Sequence, residues 1–364
     1  MSDFAMRPLE LVIEPEEGNP FEVEGVLNPA AARGPDGELY LFPRMVAAGN
    51  YSRIGIMKVL FDGDGEPRGV ERLGVALEPE ASYELRPGGG GCEDPRISYV
   101  EPLRHYVMTY TAFSPDGPRI ALAISKDLLS WQRLGLATFE PFEHIEFDGV
   151  DNKDAVCFPL AVPNPSDRPE LAILHRPLFP GTRAEEISAS DGNHVVDDYR
   201  ECIWISYSTM PFSGMDPAQL LSFTSHHRLA TPESPWERLK IGSGTPPVMS
   251  RHGWLVVYHG VSGETDPTTG TCQLTYAAGV MILSLERPSE LLYRSASPLL
   301  TPTASREPRA TPADVVFPTG IDRRDDIGQP HRYDVYYGLN DFRIGVARLD
   351  VPSDLPDAAV VSER

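Results

Sequence analysis

The sequence predicts an all-β chain built from repeated groups of strands, and three observations carry that prediction. Short apolar runs rich in Val, Ile and Tyr recur five times in pairs, with the alternation that suits strands. Helical periodicity is scarce, and residues 216–224 are the stretch that could make two helical turns. The 36 prolines and 31 glycines in 364 residues favour many turns and short elements.

In chain order, the first run of each pair covers residues 38–46, 105–113, 170–178, 254–261 and 333–340. The second covers 53–60, 119–126, 202–209, 276–283 and 343–350, and three of these open with Arg-Ile followed by Gly or Ala. A shorter element precedes each pair, at 25–31, 91–97, 152–160, 243–249 and 314–320. The repeat spacing of roughly 60 to 90 residues exceeds the about 40 to 50 of a minimal propeller blade, which leaves room for a fourth strand. After the second copy, 127–132 reads as the turn into that strand. Five copies of a three- or four-strand unit predict a five-bladed β-propeller with a central pocket. A pair of β-sandwiches competes with it, and the repeat is too long for the rungs of a β-helix. The expected organisation is an N-terminal arm over 1–24, a single propeller domain over 25–350 and a C-terminal tail over 351–364. Segments 163–170 and 321–331 read as surface loops, and 181–199 as a solvated acidic insertion.

Charge narrows the partners. With 53 acidic against 32 basic residues the formal net charge is -21, which argues against nucleic acid or an anionic membrane as partner. The four cysteines, Cys92, Cys157, Cys202 and Cys272, lie far apart without CxxC spacing, so neither a zinc site nor a disulfide framework is expected. The N-terminus lacks the basic and apolar regions of a signal peptide, and no apolar run approaches the about 20 residues of a membrane span. A cytoplasmic protein is the expectation, and a homo-oligomer is compatible with it.

The densest chemistry lies in Gly91-Cys92-Glu93-Asp94-Pro95-Arg96. Two carboxylates sit side by side after a glycine run, and Pro95 fixes the backbone next to a guanidinium. Asn28, Asp94, Asp154 and the turn at 244–247 occupy the same element of successive copies, and Lys153 adjoins Asp154. Arg44, His175-Arg176 and Tyr258-His259 recur near the end of the following strand, with Asp341 close to that place in the last copy. Each has a plain structural reading: a salt-bridged turn at 93–96, a buried histidine and an ion pair at 175–176, a packed strand end at 258–259, a hairpin turn at 341. Equivalent placement in a repeat would instead aim them at one pocket. The set is mixed in sign. Carboxylates supply a general acid and acceptors for hydroxyls, and the cations could hold a phosphate or carboxylate. A sugar pocket with a bound anion suits this mixture better than a metal site, because zinc wants closely set His or Cys and calcium wants clustered oxygens. No metal or organic cofactor is expected.

Asn28-Pro29-Ala30, the 91–97 stretch with Tyr106 after it, Lys153-Asp154-Ala155 with Phe158-Pro159, His175-Arg176, the 244–247 turn followed by 253–261, and Tyr336-Tyr337-Gly338 with Asp341 resemble glycoside hydrolase family 130. The similarity runs in order over residues 20–350. It implies a five-bladed propeller acting on β-mannosides, as a phosphorylase or a hydrolase. Asp94 matches the family's general acid, acting through a sugar hydroxyl while inorganic phosphate attacks the anomeric carbon with inversion and releases α-mannose 1-phosphate. Partial desolvation beside Glu93 would raise the Asp94 pKa, and Arg96 would oppose the rise. Lys153, His175, Arg176 and His259 are the expected phosphate-binding residues. Asn28, Arg44, Glu93, Asp154, Tyr258 and Asp341 are the expected substrate-binding residues. The partners are then an oligosaccharide or disaccharide and inorganic phosphate as co-substrate. The acidic insertion with Asp191, Asp197, Asp198 and Glu201, and Leu339-Asn340 beside Asp341, depart from the family pattern. In the hydrolase alternative Glu201 or Asp198 would activate water. Lys153 and His175-Arg176 tilt the expectation toward phosphate. A non-catalytic glycan-binding propeller is a further alternative, and a family 43-like arabinan or xylan hydrolase suits the motifs less.

Overall fold

The computed structural model describes residues 3–142, 145–179, 200–209, 216–217, 220–265, 268, 272–302 and 313–356. Among them the chain is all-β, with twenty-four strands and a few single-turn helices. After β1 (Ala5–Ile13) come five antiparallel groups. The first is β2 (Gly25–Arg33), β3 (Leu39–Ala47), β4 (Tyr51–Phe61) and β5 (Pro67–Leu77). The second is β6 (Gly90–Val100), β7 (His105–Ser114), β8 (Gly117–Ser125) and β9 (Gln132–Leu136). The third is β11 (Asp151–Cys157), the small hairpin β12 (Val162–Pro163) and β13 (Pro169–Glu170), then β14 (Ala172–Leu178), β15 (Ile203–Ser208) and β16 (Ser222–Ala230), with the short preceding β10 (Thr138–Phe139) running parallel to β16 at its edge. The fourth is β17 (Lys240–Ser243), β18 (Val248–Met249), β19 (Trp254–Thr265), β20 (Cys272–Leu283) and β21 (Leu291–Arg294). The fifth is β22 (Ala313–Arg323), β23 (Arg332–Leu339) and β24 (Arg343–Asp350), with β1 returning as its outer strand.

The fourth strand for which the repeat left room is therefore present, and 127–132 is the turn into β9. The segment expected as an arm contains β1, paired antiparallel with β24 from Ala5↔Asp350 to Ile13↔Ile344. The strands do not partition into five separate sheets. Short parallel contacts, Tyr51–Ser52 with Gly90–Gly91 and Leu274–Tyr276 with Ala313–Val315, join neighbouring groups, which gives sheets of nine, eight, five and two strands.

Two local expectations are corrected. Residues 222–224, at the end of the stretch read as helical, open β16 instead, pairing Ser208↔Phe223 and Tyr207↔Thr224 with β15 and running parallel to β10. Partner strands on both sides outweigh the weak helical preference of that segment. Of the stretch 321–331, read as a surface loop, residues 325–331 do form a largely exposed connection, while 321–323 end β22 and Arg324 lies wholly out of water.

Five apolar cores lie between successive groups. Cys92, Met108 and Ala121 meet Ala30, Phe42 and Ile54 between the first two groups. Val107 and Leu122 meet Ala155 and Ile173 in the next. Leu174 and Trp204 meet Trp254 and Val256, and Leu255 and Val257 meet Val316 and Val335. The fifth core joins Ile344 and Val346 of the last group to Val26 and Leu41 of the first. Middle strands are buried on both faces, which is why β19 reads as an unbroken apolar run rather than an alternating one. No helix among the described residues is long and apolar enough to cross a membrane.

Candidate active site

The first strand of every group breaks its pairing at the same place. The register slips between Leu27 and Ala30 in β2, between Glu93 and Arg96 in β6, between Lys153 and Val156 in β11, and between Pro318 and Gly320 in β22. In the fourth group the break separates β17 from β18, both of which pair with β19. A bulge of this kind re-aims one side chain out of the ladder. In three groups it holds a left-handed non-glycine residue: Asn28 (φ 46°), Asp94 (φ 47°) and Asp154 (φ 58°). Asn and Asp tolerate that backbone best, because their short side chains bond locally.

The five breaks meet one another. Asn28 Nδ2 donates to Asp94 Oδ1 at 2.8 Å. Arg96 spans three groups, donating to the Asp94 carbonyl at 2.9 Å, to Asp154 Oδ1 at 3.4 Å and to the Gly244 carbonyl at 3.1 Å. The Ser243 hydroxyl donates to the Asp154 carbonyl, and the Thr319 hydroxyl donates to the Pro29 carbonyl at 2.9 Å. The residues predicted from equivalent positions in the repeat thus do converge.

Around Asp94 the chemistry is acidic and clamped. Arg44 reaches Glu93 Oε1 at 2.9 Å and Asp94 Oδ1 at 3.4 Å, and is itself held by the Ser52 hydroxyl at 2.9 Å. Asp341 belongs to a tight hairpin turn, with three residues between the paired Leu339 and Arg343, in which Asn340 (φ 59°) and Asp341 (φ 51°) are both left-handed. The Phe342 carbonyl accepts from the Val26 amide at 2.9 Å, which docks this turn onto β2. Burial raises the Glu93 carboxyl above its ordinary value; Arg44 opposes the rise and Asp94 adds to it. Asp341 stands exposed at its turn with protein crowded around it, and that crowding raises its carboxyl, with Arg44 again opposing and Asp94 again adding.

Around Asp154 the chemistry is cationic. Burial alone would raise its carboxyl, but Arg176, Arg96 and Lys153 hold it well below the usual carboxylate range. Arg176 Nε donates to Asp154 Oδ2 at 2.6 Å, and the same guanidinium pairs with the buried Glu201. Lys153 stands opposite Arg176 across the β11–β14 pair, and its charge acts on both Glu93 and Asp154. His259 Nε2 lies 3.6 Å from Asp154 Oδ2, with its ring 4.5 Å from that of Phe317. Burial, with Arg176 and Arg96 assisting and Asp154 opposing, pushes this imidazole down to about 3. It is therefore neutral near pH 7, and the low Asp154 value comes from the arginines and the lysine rather than from an imidazolium. Neither ring nitrogen has a hydrogen-bond partner among the described residues. Gly242 makes this approach possible, since a Cβ there would sit 2.4 Å from both Asp154 Oδ2 and His259 Cε1.

Two predicted residues lie elsewhere. Tyr258 is wholly buried, donating to Glu237 Oε2 at 2.7 Å and accepting from Arg294 Nε at 3.2 Å. His175 is equally buried, with one ring nitrogen on the Asn152 amide and the other 2.7 Å from the Ser206 hydroxyl. Asp191, Asp197 and Asp198 lie outside the described residues. The sequence set Arg96 beside Asp94 as a charge opposing its pKa rise, without the contacts to Asp154 and Gly244, and Ser52 and Ser243 were missed. Ser52 carries no motif. Ser243 could have been found, as the last residue before the 244–247 turn. Among the described residues, no cluster of His, Cys, Asp and Glu could hold a metal ion.

The sequence model of glycoside hydrolase family 130, described as beta-1,4-mannooligosaccharide phosphorylase, matches residues 6–353. A 1,2-beta-oligomannan phosphorylase of Thermoanaerobacter sp. (strain X514) is 28% identical over 355 residues, covering 93% of this chain and 95% of the relative. The solved complex of the beta-1,2-mannobiose phosphorylase from Listeria innocua with beta-1,2-mannobiose aligns with a TM-score of 0.66 at 21% identity, covering 95% of this chain and 96% of the other. A structure from work on family 130 glycoside hydrolases that target beta-1,2 mannosidic linkages in Candida mannan aligns with a TM-score of 0.67 at 20% identity, covering 99% and 97%. With its matched span nearly the whole chain, this protein is an enzyme of glycoside hydrolase family 130.

Proposed function

We propose that the enzyme is an inverting β-mannoside phosphorylase built as a five-bladed propeller over residues 25–350, with β1 completing the last blade and 351–364 as a tail. Five strand groups, five cores between successive groups and a pairing break in each first strand support the propeller. The observation that carries the activity is the division of the site into a carboxylate side and a cation side. On one side Asp94 is held through a single oxygen by Asn28 and Arg44, which leaves Oδ2 for a ligand. On the other side stand Lys153, Arg176 and His259 around Asp154.

In this reading Asp94 gives its proton, through a sugar hydroxyl, to the glycosidic oxygen. The C1–O bond breaks as a phosphate oxygen bonds to C1 from the opposite face, and α-mannose 1-phosphate leaves. Lys153 and Arg176 hold the phosphate with His259 beside them, and Asn28, Arg44, Glu93, Asp154 and Asp341 hold sugar hydroxyls. Tyr258 and His175, whose polar atoms are used within the protein, have no ligand role. The hydrolase reading needs a carboxylate free to activate water. Of the two carboxylates considered for that role, Glu201 is paired with Arg176, which speaks against it as the base, and Asp198 lies outside the described residues.

The test is to incubate the enzyme with β-1,2- and β-1,4-mannobiose, with and without inorganic phosphate, and to identify the sugar released. Mannose 1-phosphate formed only with phosphate is the expected result, and full-length similarity to the oligomannan enzyme makes the β-1,2 linkage the first to try. Free mannose at a rate indifferent to phosphate would overturn the phosphorylase reading.

A further inference from the structure

Beneath the cation side runs a line of buried polar groups that the site does not use. Asn152 Nδ2 lies 3.0 Å from His175 Nδ1, and His175 Nε2 lies 2.7 Å from Ser206 Oγ. Ser206 Oγ is in turn 2.7 Å from His226 Nδ1, and His226 Nε2 is 2.8 Å from the Glu140 carbonyl. The four side chains come from β11, β14, β15 and β16. Phe139 stacks on His175 at 4.6 Å and Phe147 lies 4.5 Å from His226, so the line is walled by aromatic rings.

The carbonyl at the far end fixes every proton. Glu140 can only accept, so His226 carries its proton on Nε2 and presents a lone pair at Nδ1. Ser206 must then donate to His226 and accept from His175 Nε2–H. A neutral His175 then has a lone pair on Nδ1, which the Asn152 N–H satisfies at 3.0 Å, the amide's Oδ1 standing farther off at 3.2 Å. All four bonds therefore point one way, with both imidazoles neutral and in the same tautomer. Burial lowers both histidine pKa values, which keeps them neutral. The backbone is shaped for this line. Ser206 faces two residues of β16 at a register slip, where Ser225 is left-handed (φ 54°) and His226 turns inward.

Each end of the first link is one residue away from a cation of the site. Asn152 precedes Lys153, His175 precedes Arg176, and Lys153 and Arg176 are cross-strand partners. We propose that Asn152, His175, Ser206 and His226 form a one-way hydrogen-bond relay that positions Lys153 and Arg176 without touching substrate. The role of those cations as phosphate ligands rests on the function proposed above; the relay's proton order does not.

Two measurements test it on the full-length enzyme. In kinetics with a mannobiose substrate, Ser206→Ala raises the KM for inorganic phosphate about tenfold and leaves the sugar KM within about twofold, because only the cation side is loosened. Ser206→Thr, which restores the hydroxyl, recovers part of the loss. Ile205→Val, a core change on the same strand, leaves the ratio of the two KM values unchanged. Equal shifts in both KM values for Ser206→Ala, or the same ratio change for Ile205→Val, would reduce the relay to packing. In wild-type enzyme labelled with 15N-histidine, both rings appear as neutral Nε2–H tautomers at pH 7. An Nδ1–H or doubly protonated ring at either position overturns the relay. If wild-type turnover ignores phosphate, the phosphorylase reading fails and the tautomers alone decide the relay.

Discussion

At the scale of single residues, neighbours on one strand divide the labour. Successive side chains of a strand point to opposite faces. His175 enters the buried relay while Arg176 reaches Asp154, and Tyr258 enters the core while His259 stacks beside Asp154. The sequence shows both members of each pair side by side and does not show which faces the site, which is why His175 and Tyr258 were grouped with their neighbours. Asn28, Asp94 and Asp154 were legible because a repeat position, unlike adjacency, carries direction. The sharpest residue-level expectation concerns Asp94. Asp94→Asn keeps the bulge, since Asn tolerates left-handed φ as well, and removes the proton donor. The kcat should fall about 10² to 10⁴-fold with the unfolding midpoint little changed, as rapid-quench assays and thermal melts will read. Full turnover in Asp94→Asn would remove the residue from the acid role.

At the scale of elements, the site depends on how closely two strands pass. Gly338 in β23 lies against Asn28, and a Cβ there would sit 1.8 Å from Asn28 Oδ1. Gly338→Ala must therefore push Asn28 aside, and with it the 2.8 Å bond that holds Asp94. A displacement of about 1 Å in such a positioning group costs on the order of 10²-fold in rate. Gly338→Ala should lose most of its kcat while Asn28→Ala, which frees Asp94 by another route, loses a comparable amount; near-additive losses in the double variant would show that the two act separately. The strands themselves were readable from Val, Ile and Tyr enrichment, and the bulges were not. A bulge is set by the mismatch between two paired strands, so Asn28-Pro29 and Asp94-Pro95 could only be read as turn-like. The stretch 216–224 failed for a related reason, since its strand character comes from β10 and β15 rather than from its own residues.

At the scale of the whole molecule, the chain's last group must hold its first. β1 provides one closure along β24, and a second is ionic. Arg33 of β2 makes two bonds to Asp322 of β22, at 2.8 and 2.7 Å. Arg324 donates to the Gly65 carbonyl at 2.6 Å, and Arg332 grips Glu66 through two nitrogens while Arg332 Nε donates to Asp334 at 2.9 Å. Five repeats could be counted in the sequence, but this seam could not. Arg324 and Arg332 lie in and beside a polar stretch read as a surface loop, and their partners Gly65 and Glu66 come from the first group, to which the chain returns. Removing Arg332 takes both of its bonds from the half-buried Glu66 while Asp334 keeps Arg324, so Arg332→Ala should cost about 1.5–3 kcal/mol of unfolding free energy at pH 7, measured by urea titration. The pH dependence separates this loss from simple cavity formation. The Arg332 bonds lower the Glu66 pKa below its ordinary 4.5, so the stability Glu66 contributes is present above that value and is lost as pH falls through the folded-state pKa. Asp322, pushed up to about 6 by burial despite Arg33, acts in the opposite direction, favouring the fold as pH drops through 6. It is common to both proteins and cancels in the comparison. The gap between wild type and Arg332→Ala should therefore be widest near neutrality and narrow below pH 4.5. A gap that stays constant across that range would mean that Arg332 stabilises the seam by packing alone.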